Sequence, residues 1–165
     1  MVKNAYSGRI DIRPAARGDC ALILDYIRRL AVYEKRSDEV VATEESLEEW
    51  LFARRAAEVY FASVDGRDAG FMLFAQNFST FLGCAGVHLE DIFILPEFRG
   101  MGVGTAFMAE LGRIAAERGY GRIDWSCLNW NETGINFYKK LGAAPLDDWL
   151  VYRIDGEAIK NLARK

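Results

Sequence analysis

The sequence predicts a mixed α/β fold: one central sheet, partly antiparallel, with helices packed on both faces. Three observations predict it. Short runs in which apolar residues alternate are interleaved with longer runs in which they recur at helical spacing. Two of the alternating runs are joined by the turn Asp65-Gly66-Arg67-Asp68, a hairpin signature that makes part of the sheet antiparallel. The apolar run ending at Leu95-Pro96 passes through a glycine-rich bend straight into an amphipathic segment, a strand–turn–helix unit.

Each element can be justified in order. Ile10 and Ile12 alternate with polar neighbours in a first strand that Pro14 ends. Cys20, Ile23, Leu24, Ile27, Leu30 and Ala31 then recur at helical spacing, with Asp19 in the capping position. A second helix starts after Thr43 and sets Leu47, Trp50 and Leu51 on one face. Residues 58–78 form the hairpin, and 87–95 form the next strand. A helix follows the glycine bend, with Phe107, Leu111, Ile114 and Ala115 inward and Gly119 and Gly121 at its end. Residues 122–128 are a further strand, 131–141 a short helix, 149–155 a last strand, and the tail is helical. The order is β-α-α-β-β-β-α-β-α-β-α. There is no internal repeat or linker, so residues 1–165 are expected to form one domain.

Composition narrows the function. Half of the 165 residues are apolar, enough for a core without disulfide staples. Charges nearly balance, with a net charge of -3, which argues against a nucleic-acid binder that relies on a basic surface. Cys20, Cys84 and Cys127 are odd in number and form no C-x-x-C pair, so neither a disulfide framework nor a zinc site is expected and a reducing cytoplasm is the default. The N-terminus lacks an apolar leader core, and no run approaches the roughly 20 apolar residues of a membrane span. His88 is the one histidine, so mechanisms that need two are excluded.

The decisive stretch is Ile94 to Met108, in which Gly100, Gly102 and Gly104 alternate between a strand and a helix. The first amides of a helix have no intrahelical partner, and the helix dipole favours negative charge there. Glycines let a phosphate approach the backbone closely, and Arg99 adds positive charge. A Walker A loop is excluded, because no Lys follows the glycines. A dinucleotide G-x-G-x-x-G is excluded too, because its third glycine would fall on Thr105 or Phe107. What remains is R-x-x-G-x-G: Arg99, Gly102 and Gly104.

This pattern resembles the acyl-CoA diphosphate loop of the GNAT N-acetyltransferase superfamily. A second resemblance lies in residues 129–143, Asn-Trp-Asn-Glu-Thr-Gly-Ile-Asn-Phe-Tyr-Lys-Lys-Leu-Gly-Ala. With residues 12–34 and 87–105, the chain is similar over nearly its whole length to the diamine (spermidine/spermine) acetyltransferase branch. The resemblance implies a mostly antiparallel, twisted GNAT sheet with one splayed parallel pair, acetyl-CoA as cosubstrate, no metal, and a homodimer. It implies acetyl-CoA contacts at Ile92, Phe93 and Ile94, along the loop Arg99, Gly100, Met101, Gly102, Val103, Gly104 and Thr105, and at Asn131, Glu132, Thr133 and Gly134.

Acetyl transfer to an amine requires loss of the ammonium proton, whose pKa is about 10.4 when free. It also requires a donor for the oxyanion and a proton for the leaving thiolate. By the resemblance, an amide near Ile92 is the oxyanion donor, Glu90 is the base acting through water, and Tyr138 is the general acid. Strict alternation along the strand puts His88, Glu90, Ile92 and Ile94 on one side and Asp91 and Phe93 on the other. Asp91 is a rival base and His88 another, although a lone strand histidine also suits a packing role. Cys127 has no evident base nearby, which favours direct attack over an acetyl-cysteine. The acceptor groove is expected at Tyr33, Glu34, Glu90, Asp124, Trp125 and Ser126, closed by Asp147 or Asp148, with Trp130 beside Trp125 as an aliphatic wall.

Two departures from the branch, Asn129 where a Glu is frequent and a shortened acidic loop at 145–149, leave thialysine, a diamine or another small primary amine open as acceptor. A peptide or protein amine, and a non-catalytic acyl-CoA sensor, are the alternative functions.

Overall fold

In the computed structural model of the chain, the residues described are 8–164. The first seven, on which the reading of the leader partly rests, lie outside them. The chain divides into two compact units, one up to Ser126 and one from Cys127 onward.

The first unit contains a five-stranded sheet in the order β1-β2-β3-β4-β5. β1 (Ile10–Pro14), β2 (Glu58–Val64), β3 (Arg67–Ser79) and β4 (Cys84–Ile94) pair antiparallel in succession, and β5 (Ile123–Trp125) adds to β4 in parallel. Asp65 and Gly66 both take positive φ, 50° and 77°, which is what the two-residue turn between β2 and β3 demands. α1 (Cys20–Glu34) covers one face: Ile23 and Tyr26 pack with Val59, Phe61, Phe71 and Phe93. α3 (Val103–Glu117) covers the other, where Val103, Phe107, Leu111 and Ile114 meet Met72, Phe74, Val87 and Leu89. Side chains buried this completely contribute about 1.5–3 kcal/mol each.

Several expectations are corrected. Asp19 stands at the start of α1, but its carboxylate accepts from Arg13 and from the Ala16 amide, so it pins β1 to the turn and does not cap α1. Thr43 does cap: its Oγ1 accepts from the Ser46 amide at the start of α2 (Glu44–Leu47). α2 continues as a π-helical stretch, Glu48–Ala53. That wider turn moves Trp50 out of line with Leu51, so Leu51 is buried while Trp50 is exposed under the Arg54 guanidinium. Tyr26, polar at its tip and passed over in the helical pattern, is among the most buried residues. It lies against Phe61, Phe71 and Phe93, and desolvation pushes its hydroxyl up to about 12.

The second unit holds α4 (Glu132–Lys140) and α5 (Gly156–Leu162). The last strand expected at 149–155 does not form: Trp149, Leu150, Val151 and Tyr152 are exposed and extend no ladder. Alternation marks a segment fit to pair, but a strand needs a partner's hydrogen bonds to exist. Leu141, expected to anchor α4 with Phe137, is exposed, and no α4 residue is buried. No described helix is long and apolar enough to cross a membrane.

Candidate active site

The site grows from an irregularity in β4. Leu73 of β3 faces Asp91 and the next residue, Phe74, faces Leu89, so Glu90 is an extra residue with no opposite number. Such a bulge resets the alternation of the strand. Val87 and Leu89 before it, and Ile92 after it, pack on the α3 face, whereas Phe93 packs on the α1 face. Asp91 therefore lies on the same side as Phe93 and His88, and Ile92 and Ile94 on the other. The strict alternation expected from sequence is wrong here because the bulge inserts one residue.

The bulge also falls where β4 parts from β5. Their parallel pairing runs Val87↔Ile123, His88↔Asp124, Leu89↔Trp125 and stops there. Beyond it the Phe93 carbonyl points to Gly70 of β3, so close that a Cβ on Gly70 would sit 2.4 Å from it. The Leu95 amide likewise donates to Ala69. Alternation between these two leaves the backbone groups of Ile92 and Ile94 on the opposite edge, past the end of the parallel pairing. Phe93, expected beside them as a backbone contact, is instead turned into the sheet.

On the α1 side, three carboxylates converge. Burial, then Glu90 and then Glu34, push the Asp91 carboxyl up to about 7. Burial also raises Glu34, opposed by Arg36 and assisted by Glu39. Tyr33, next to Glu34 at the end of α1, lies against the Phe93 ring, and the Arg99 guanidinium stacks over Tyr33 at 4.8 Å while its Nε donates to the Ile94 carbonyl at 3.0 Å. Tyr33, Glu34, Glu90 and Asp91 are thus brought together. Asp124 is engaged elsewhere: His88, Arg122 and Asn77 all reach its carboxylate. Trp125 is partly buried against the α3 side of the sheet, and Ser126 is exposed.

The glycine bend leads into α3 as expected. Gly100 and Gly102 take φ of 77° and 94°, a left-handed conformation that suits glycine, and Gly102 is the residue before the first turn. Gly104 is buried inside that turn. The Ala106 amide is the first to bond back, to Gly102, which leaves the amides of Val103, Gly104 and Thr105 without intrahelical acceptors. No acidic residue occupies the first turn. Met101 packs inward beside the core, and Arg99 and Thr105 are exposed.

In the second unit, Asn131 caps α4: its Oδ1 accepts from the Gly134 amide at 3.0 Å. A Cβ at Gly134 would lie 2.7 Å from the Asn131 side chain, so this Asn and Gly fit each other. Glu132 and Thr133 are exposed in the first turn of α4, Tyr138 lies beside Phe137 at 5.3 Å between ring centres, and Asp148 is exposed. Among the described residues no cluster of His, Cys, Asp and Glu could hold a metal ion.

A mixed sheet whose parallel pair ends early, beside a glycine bend that leads into a helix whose first amides have no intrahelical acceptors, defines an acyl-CoA-type transferase fold. Residues 24–143 match the Acetyltransferase (GNAT) family, and the chain belongs to it; it is an acetyltransferase. It is 36% identical over 166 residues to thialysine N-epsilon-acetyltransferase of Bos taurus, covering 93% of this chain and 97% of that one. It is 27% identical to spermidine/spermine N(1)-acetyltransferase-like protein 1 of Homo sapiens, over 92% of this chain and 23% of that protein. Its fold matches that of an integron cassette protein from the mobile metagenome of V. cholerae with a TM-score of 0.78 at 24% identity, covering 94% and 98% of the two chains.

Proposed function

We propose that the chain, acting as one catalytic domain, moves an acetyl group from acetyl-CoA to the primary amine of a small cationic acceptor by direct attack in a ternary complex. The observation that carries this reading is the Asp91 carboxyl, raised by burial and by Glu90 and Glu34. Burial first, and then two neighbouring carboxylates, hold that carboxyl back from ionising, and a cationic amine beside it would favour the ionised form. The thialysine and spermidine/spermine names of the relatives support a small amine as acceptor.

In this reading the coenzyme's diphosphate lies on the bend from Arg99 to Thr105, held by the first amides of α3, with further contacts from Asn131 to Gly134. Its pantetheine arm runs along the open β4 edge, where the Ile92 amide donates to the developing oxyanion. Glu34 and Asp91 hold the ammonium group, and Tyr33 supports the aliphatic chain. Glu90 takes the amine's proton through water, the nitrogen attacks the thioester carbonyl, and Tyr138 protonates the departing thiolate. A second assignment gives the proton to Asp91, because a carboxyl near 7 is a better-matched base at neutral pH than an ordinary one. By analogy with the branch, the active species is a homodimer.

Thiol release from acetyl-CoA over a panel of amines tests the proposal. Turnover with thialysine or spermidine that is lost in Glu90→Gln and Tyr138→Phe supports it. Coenzyme binding with no turnover on any amine or peptide indicates a sensor, and a preference for peptides indicates a protein acceptor. Loss in Asp91→Asn with retention in Glu90→Gln selects the second assignment, and light scattering that gives a monomer removes the dimer.

A further inference from the structure

The part of the proposed acceptor pocket that carries Tyr33 and Glu34 is a helix end. α1 closes with Glu34, and Lys35 after it is left-handed at φ 61°, a conformation that costs any residue with a side chain. Helix ends fray, so what holds Tyr33 decides where Glu34 stands beside Asp91. Phe93 of β4 lies 6.4 Å from the Tyr33 ring between centres, at 55°, and the Arg99 guanidinium stands 4.8 Å over that ring.

Arg99 is itself anchored. Its backbone is extended, at φ -69° and ψ 147°, its Nε donates to the Ile94 carbonyl at 3.0 Å, and its guanidinium also lies 5.8 Å from the Phe93 ring. Gly100, left-handed at φ 77°, then turns the chain toward the start of α3. The two halves of the bend therefore have different neighbours. The Arg99 side chain reaches back to β4 and α1, whereas the amides of Val103, Gly104 and Thr105 open at the start of α3. The arginine charge does not blunt the acids either. Asp91 responds to Glu90 and Glu34, and Glu34 to Arg36 and Glu39; Arg99 is not among the groups that move either carboxyl. Arginine suits the task, because a flat guanidinium lies on a ring and donates from its edge at once, whereas a lysine ammonium is a point charge.

We propose that the Arg99 side chain is a strut of the acceptor pocket: it sets the Tyr33 ring, and with it the end of α1, against β4, while backbone amides hold the coenzyme's diphosphate at this bend. The inference rests on the reading of Tyr33, Glu34 and Asp91 as the amine's pocket. The arginine of the glycine motif then serves the amine rather than the phosphate. Arg99 acts through Tyr33 and is a positioning residue, not one that touches the acceptor.

The test measures thiol release with the amine, thialysine or spermidine, and acetyl-CoA varied in turn. It compares the wild type, Arg99→Lys, Tyr33→Leu and the double variant, beside Glu34→Gln. Arg99 is exposed and lysine keeps its charge, so Arg99→Lys loses the flat stack without a burden on folding. It is expected to raise the amine KM roughly two- to fivefold, the worth of an exposed cation–π contact, and to move the acetyl-CoA KM by less than about twofold. Beside Tyr33→Leu the same change should add nothing further, because the ring it supports is gone. An unchanged amine KM, an acetyl-CoA KM raised as much as the amine KM, or an amine effect that persists undiminished beside Tyr33→Leu overturns the strut. If Glu34→Gln leaves the amine KM unchanged, the pocket assignment fails and the strut with it; if Glu34→Gln raises it and Arg99→Lys does not, only the strut fails.

Discussion

Asp91→Asn replaces one shielded carboxyl by a neutral group of the same shape. In the folded protein that carboxyl titrates near 7, against an ordinary value of 3.8. Between those values the folded chain still holds a proton that the unfolded chain has released. Stability therefore falls as pH rises from about 4 to about 7, and the full cost is present above 7. An interval of about three pH units at 1.36 kcal/mol each is about 4 kcal/mol, and asparagine carries none of it. Less than half of it is already present at pH 5. Urea unfolding of both proteins at pH 5 and pH 8 should thus show Asp91→Asn gaining about 2–3 kcal/mol on the wild type between the two pH values. A cationic acceptor amine relieves the same repulsion, so it should protect the wild type against urea more at pH 8 than at pH 5, and Asp91→Asn about equally at both. Parallel pH–stability curves for the two proteins would refute the reasoning, because the carboxyl would then not be titrating in this window.

Three further outcomes are expected. Gly102→Ala has room for its Cβ, whose nearest neighbour is Ile10 Cδ1 at 3.8 Å, so its cost is the backbone at φ 94°: about 1–2 kcal/mol in urea unfolding, with weaker coenzyme binding by calorimetry. Gly86→Ala meets Asn77 and Arg122, including the Arg122 carbonyl at 3.0 Å; about 1–3 kcal/mol of stability and part of the turnover should be lost together. Thr43→Ala removes a cap remote from the chemistry and should cost about 1 kcal/mol with kcat unchanged.

The fold was legible where a pattern is local. The hairpin turn has a sequence signature at Asp65-Gly66, and α3 has one in its glycines followed by Phe107, Leu111 and Ile114. The Thr43 cap was legible for the same reason. What depends on a distant partner was not. Asp19 looks like a cap until Arg13 and the Ala16 amide are seen on its carboxylate. Residues 149–155 look like a strand until a strand is required beside them. The motif residues of the site stand where the loop and α4 put them, but Asn131 also has a local task as a cap that no motif conveys. The brace of Asn77, Arg122 and Asp124 around His88 joins β3, β4 and β5 and left no signal along the chain; Gly86, a glycine inside a strand, was its one trace.

The bulge at Glu90 is the point from which the rest of the site follows. In a regular strand, consecutive residues face opposite sides, so Glu90 and Asp91 could not both act on one pocket. With one residue inserted, Asp91 takes the α1 side under Glu34, and Glu90 can turn its carboxylate to His88 on that same side. The same insertion sends Ile92 and Ile94 to the α3 side and turns their backbone groups to the edge that β5 has left. A strand without the bulge would retain every residue of the motif and still separate the two acids. Deleting Glu90 should therefore remove the base without realigning the strand, because Leu89 and Asp91 already face the neighbouring residues Phe74 and Leu73; the deletion and Glu90→Gln should both keep amine binding and lose turnover. Amine affinity that is lost in the deletion but kept in Glu90→Gln, measured by calorimetry, would mean that Asp91 depends on the inserted residue for its place in the pocket.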